Sequence, residues 1–186
     1  MKKSGIIVFV LILLNFIIKA QDLIINEWSQ GLSGAKEWVE VLIVTDNLNI
    51  QNYKLIDENG TLELVFLGIG FQNLEMGSLI VFYNGGPVDA LITPDLNYDG
   101  VTDKTLQISS LNSSGIGAIT RTKGWVGTGG AFSNTTSTHV PQILNSSDIN
   151  VFTTPKHAGA NSFTFYTSIT AAGALLTANW SKGSPS

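Results

Sequence analysis

The sequence predicts an all-β chain, a β-sandwich with long polar loops, preceded by a signal peptide. Three observations carry that prediction. No window of residues 21–186 places apolar residues at helical spacing over three turns. Short apolar runs recur instead at roughly ten-residue intervals, with the period-two alternation of a half-buried strand. Turn residues stand between them: the 186-residue chain has 19 Gly, several preceded by Asn or Asp.

Residues 1–20 read as an export segment outside the fold. Lys2 and Lys3 give a positive start, and Gly5 to Ile18 is apolar but for Asn15. Lys19-Ala20-Gln21 then offers a small residue at the cleavage point. That run of 14 residues suits a signal-peptide core, and it is shorter than the ~20 that span a bilayer. Ile18, at the third position before the cut, leaves an uncleaved anchor as the alternative. The mature chain is expected to start at Gln21 or Asp22. No second apolar stretch of that length follows, so it is expected to be secreted or held at the cell surface without a transmembrane segment.

The strands follow in order. Leu23 to Trp28 is the first. Glu37 to Thr45 is the second, with Val39, Val41 and Ile43 on one face and Trp38, Glu40, Leu42 and Val44 on the other. Glu58-Asn59-Gly60 is a tight-turn sequence, because Asn and Gly accept positive φ cheaply. Leu62 to Leu67 comes next, then Ser78 to Tyr83, bounded by Met76-Gly77 and by Asn84-Gly85-Gly86-Pro87. From Ser109 to Ser147 the chain is rich in Ser, Thr, Asn and Gly, with weaker strands near 117–121 and 149–153. Ile116, Ile119, Trp125, Val126, Phe132, Val140, Ile143 and Leu144 anchor this stretch, which is therefore read as ordered. One sandwich domain is expected over 21–180, with 181–186 a tail or the start of a truncated continuation.

Composition excludes several function classes. With no Cys there is no thiol nucleophile, disulfide, iron–sulfur cluster or Cys-ligated zinc. Two His, His139 and His157, are too few for a three-His metal site. The formal charge is −4, so no basic footprint for general nucleic-acid binding exists. Charge is also lopsided: residues 21–103 carry 13 acidic and 2 basic groups, residues 104–186 only 1 acidic and 5 basic. A solvated acidic face explains this, and a divalent-cation site is the sharper alternative.

Leu23-Ile-Ile-Asn-Glu-Trp28, a short spacer and Glu37-Trp-Val-Glu-Val-Leu42 together resemble the opening of a lamin tail domain. The segment Ile50 to Gly60 and the run Leu74-Glu-Met-Gly-Ser-Leu-Ile-Val-Phe82 are similar to that family's next two elements. The match covers about residues 22–86. Beyond it, Ser114 to Gly124 stands in for a later block without its usual Asp, and Thr154 to Asn161 resembles the closing motif. The resemblance implies an immunoglobulin-like β-sandwich of the kind found in bacterial secreted proteins. It implies a non-catalytic binding or structural module, contacting a cell-surface protein or glycan through long loops. The alternative it implies is an amino-terminal accessory domain of a larger secreted nuclease or other hydrolase. The family brings no catalytic residues to carry over.

The most specific chemical signal is Asp95-Leu-Asn97-Tyr-Asp99-Gly100-Val101-Thr-Asp103. Oxygen donors at positions 1, 3, 5 and 9, the Val101 carbonyl at 7 and Gly at 6 match the front of a calcium loop. Position 12 is Leu106 instead of a bidentate Glu, and no helices flank it, so it is not an EF-hand. Calcium bound by Asp95, Asn97, Asp99, Val101 and Asp103, with a remote ligand such as Asp89, is one reading. A polar turn without an ion is the other.

Other constellations are weaker. Glu37 and Glu40 lie three apart on a strand and so face opposite sides, which excludes a paired-carboxylate glycosidase site. Glu27 and Glu40 could meet across neighbouring strands. His139 and His157 have no acid beside them in sequence, and no Gly-x-Ser-x-Gly elbow is present, so no serine triad is expected. Gly127-Thr-Gly-Gly130 lacks the Lys of a phosphate loop. Trp125 and Phe132 flank it, either as a sugar-stacking platform or as plugs of a sandwich end. Asn-x-Ser/Thr sequons begin at Asn59, Asn112, Asn134, Asn145 and Asn179. Nothing in this set points to an enzyme.

Overall fold

A computed structural model describes residues 21–29, 37–85, 92–126, 131–132 and 139–153, and two further strands, Ser162–Ser168 and Leu175–Ser181, as backbone. The expected export segment, Asp89, Gly127–Gly130, His157, the closing motif and the last five residues lie outside the described residues. Two sheets pack against each other. The first runs β1 (Leu23–Ser29), β2 (Trp38–Ile43), β5 (Leu79–Tyr83) and β6 (Thr105–Ser109). The second runs β7 (Ile119–Lys123), β4 (Glu63–Phe66), β3 (Lys54–Asp57), β8 (Pro141–Leu144) and β9 (Asn150–Thr153). The two backbone-only strands, β10 and β11, pair antiparallel as a separate hairpin. Among the described residues no helix is long and apolar enough to cross a membrane.

Period-two alternation builds the core. Val39, Val41 and Ile43 of β2 are buried, while Trp38, Glu40 and Leu42 are only half-buried. The same parity sends Leu55, Leu64, Phe66, Ile80, Phe82, Leu106 and Ile108 inward. Each such side chain contributes about 1.5–3 kcal/mol on burial. Across the sheets Phe66 stacks on Phe82 at 4.6 Å, and Phe71, from the turn after β4, sits 5.1 Å from Phe66. The expected tight turn is present between β3 and β4: Gly60 has φ 68° and its amide donates to the Asp57 carbonyl.

Five described strands were not expected, β3, β6, β8 and the two of the hairpin, β10 and β11. β3 and β8 have four residues each, and Pro141 begins β8, where a missing amide costs least. β6 lies parallel to β5, so its neighbour is reached through a long crossover rather than a hairpin turn. The expected strands are present, with ends that differ by no more than two residues.

Candidate functional site

Three polar clusters hold the described loops to the sandwich. The first is Glu37, just before β2, whose side chain is fully buried. One carboxylate oxygen accepts the Trp125 indole N–H at 2.6 Å and the Ala131 amide at 2.7 Å, and the other accepts the Phe132 amide at 3.0 Å. Burial raises the Glu37 pKa to about 7, against the lowering effect of those three donors, and the charge of Asp57 adds to the rise. Beside it Asn84 is also fully buried: its side-chain oxygen accepts the Val126 amide at 2.6 Å, while its backbone N–H donates to the Glu37 carbonyl. Trp125 and Val126 have φ of 28° and 78°, a conformation costly for such side chains and fixed here by these bonds.

Trp125 and Phe132 are 4% and 3% exposed and meet edge to face at 5.7 Å, with Trp28 5.5 Å from Phe132. A sugar-stacking platform needs open ring faces; these rings are buried in the hydrophobic core. Glu37 and Glu40 take different environments, as the strand spacing requires. Glu40 instead accepts from Asn26 Nδ2 at 2.5 Å and stands directly opposite Glu27 in the β1–β2 register, next to the bulge between Ile25 and Glu27.

The second cluster is Asp57, at the inward end of β3 and fully buried. Its Oδ1 accepts the amides of Thr61 (2.5 Å) and Leu62 (2.8 Å), and its Oδ2 accepts the Thr61 hydroxyl at 2.8 Å. His139 Nδ1 lies 3.3 Å from Oδ2. Asn59 Nδ2 lies 2.9 Å from His139 Nε2, on the side of the ring away from the carboxylate. Sequence spacing gave His139 no acid; the fold supplies one from 82 positions away. The signal that could have found Asp57 is its place: an acid at the inward parity of Lys54-Leu-Ile-Asp57, one step before a turn.

The third cluster is the expected calcium loop. Asp99 Oδ1 accepts the amides of Val101, Thr102 and Asp103 at 2.7–2.9 Å, and Oδ2 accepts the Thr102 hydroxyl at 2.5 Å. The Thr102 hydroxyl first, and then those amides, hold the Asp99 carboxyl well below the usual range. Asp103 Oδ1 accepts the Thr105 amide and hydroxyl, and Asp95 Oδ1 accepts the Asn97 amide. Val101 is 82% exposed. Among the described residues no three His, Asp or Glu side chains gather as a metal ion requires. These bonds fold the loop as a turn anchored on Asp99.

At the turn after β4, backbone bonds tie Leu67, Gly68 and Gly70 to Ile116 and Ala118. This junction leaves Leu67, Ile69 and Ile116 43%, 69% and 37% exposed. No family model, curated protein or solved structure matches this chain.

Proposed function

We propose that this chain is a non-catalytic binding module, exported and acting at the cell surface, whose sandwich resembles a lamin tail domain. The observation that carries the reading is where polar and apolar groups are spent. Glu37, Asp57 and Asn84, the buried groups that chemistry would need, hold backbone amides of the connecting loops. The exposed aliphatic side chains Leu67, Ile69 and Ile116 sit on loops at one junction, where a partner can cover them. Aliphatic contacts favour a protein partner over a glycan, since the two aromatics best placed for stacking are buried. The test is binding of the labelled chain to an envelope fraction of its source cells. Ile69→Asp should weaken saturable binding at least tenfold and leave the melting temperature unchanged. Equal binding by both chains would remove this junction from the interface.

A further inference from the structure

The chain holds two Asn-Gly pairs, Asn59-Gly60 and Asn84-Gly85. Such a pair is prone to attack of the glycine nitrogen on the asparagine side-chain amide, because no Cβ crowds the five-membered ring that forms. The fold gives the two pairs opposite surroundings. Asn84 is fully buried, and its side-chain oxygen accepts the Val126 amide. A Cβ at Gly85 would sit 1.9 Å from Ser109 Oγ, so the backbone there is closely packed. Asn59 and Gly60 are exposed in the β3–β4 turn, and nothing lies within 4 Å of a Cβ placed at Gly60.

A proton donor stands beside the exposed pair. His139 Nε2 lies 2.9 Å from Asn59 Nδ2, and His139 Nδ1 lies 3.3 Å from Asp57 Oδ2. A ring carrying both protons therefore donates one to the buried carboxylate and aims the other at Asn59. The amide nitrogen of Asn59 is a poor acceptor while its lone pair is delocalised. It becomes a good one once the Gly60 nitrogen has added to Cγ, because that carbon is then tetrahedral and the nitrogen an amine. His139 meets it at hydrogen-bond distance, as a general acid must. One bond opposes the step: the Gly60 N–H donates to the Asp57 carbonyl at 2.9 Å and must let go before the nitrogen attacks.

We infer that Asn59 is a site of self-modification, deamidating through a succinimide with His139 as the acid that releases ammonia. The Gly60 nitrogen loses its proton to solvent and bonds to Asn59 Cγ. The Cγ–Nδ2 bond then breaks, the leaving nitrogen takes a proton from His139 Nε2, and ammonia departs. Water opens the ring to aspartate or isoaspartate, and His139 regains its proton from solvent. The event occurs once per chain. Where the product is aspartate, the new carboxylate faces His139 from the side opposite Asp57, so the imidazole lies between two acids.

The test is incubation of the full chain at neutral pH, with both asparagines followed by peptide mapping and mass spectrometry. In the folded chain Asn59 should convert several-fold faster than Asn84. In urea, where the fold no longer separates them, the two should convert at similar rates. His139→Ala and His139→Gln should each slow Asn59 several-fold in the folded chain and leave its rate in urea unchanged. Asn84 should stay intact in both variants and so reports that the sandwich is folded. Equal or faster conversion of Asn59 in folded His139→Gln would overturn the inference, because the histidine would then be idle or protective. So would equal conversion of Asn59 and Asn84 in the folded, unaltered chain.

Discussion

Glu37 titrates where an exposed carboxylate does not. Its pKa of about 7 in the folded chain lies above the ordinary 4.5, so folding favours the protonated form. The stability it contributes is therefore fully present at or below pH 4.5 and is lost as pH rises through 7. At about 1.4 kcal/mol per pH unit, the loss is about 3 kcal/mol. Urea unfolding at pH 5 and pH 8 should show most of that decrease. Glu37→Gln should be less stable at pH 5, because an amide group now faces three N–H donors, and its stability should change little between the two values. An unaltered pH slope in that variant would contradict the assignment. At this scale the sequence was least informative. Strand parity placed Glu37 and Glu40 on opposite faces, but the partners of Glu37 come from residues 88 to 95 positions away. His139 finds Asp57 across a similar distance in sequence. Long-range pairing of this kind has no local signature.

Elements were legible where they were long and bounded by turn residues. β1, β2, β4 and β5 follow from alternation and from Asn-Gly or Met-Gly punctuation. β6 and β8 were missed because four or five residues inside a polar stretch give too few alternations to stand out. Two glycines allow a controlled test of the turns. Gly60 and Gly124 share φ of 68°, but a Cβ at Gly60 meets nothing, whereas at Gly124 it would sit 2.4 Å from the Thr61 carbonyl oxygen. Gly60→Ala should cost about 1 kcal/mol, the left-handed backbone term alone. Gly124→Ala should cost more, because the Thr61–Leu62 backbone that Asp57 holds must shift. Equal losses in chemical denaturation would contradict the close approach of β7 to that turn. The Asp95–Asp103 loop is tested by melting with and without calcium. As a turn anchored on Asp99, it should melt at the same temperature in millimolar calcium and in chelator, with Asp99→Ala lowering both alike. A rise of several degrees in calcium that Asp99→Ala abolishes would instead establish the ion-binding reading of the same sequence.

For the whole molecule, the all-β class and two-layer core follow from composition and period. The sheet order does not, since the parallel β5–β6 pair depends on a crossover that alternation leaves unmarked. The proposed function is tested at this scale too. Among the described residues, the arrangement nearest to a catalytic one is the buried Asp57 behind a part-exposed His139, and its carboxylate already serves Thr61 and Leu62. The most direct measurement sets the chain and its His139→Ala variant against the envelope fraction, following bound protein and released fragments together. As a binding module, both should bind saturably with dissociation constants within about twofold of each other, and neither should release fragments. Turnover of envelope material by the unaltered chain, abolished by His139→Ala, would contradict the account.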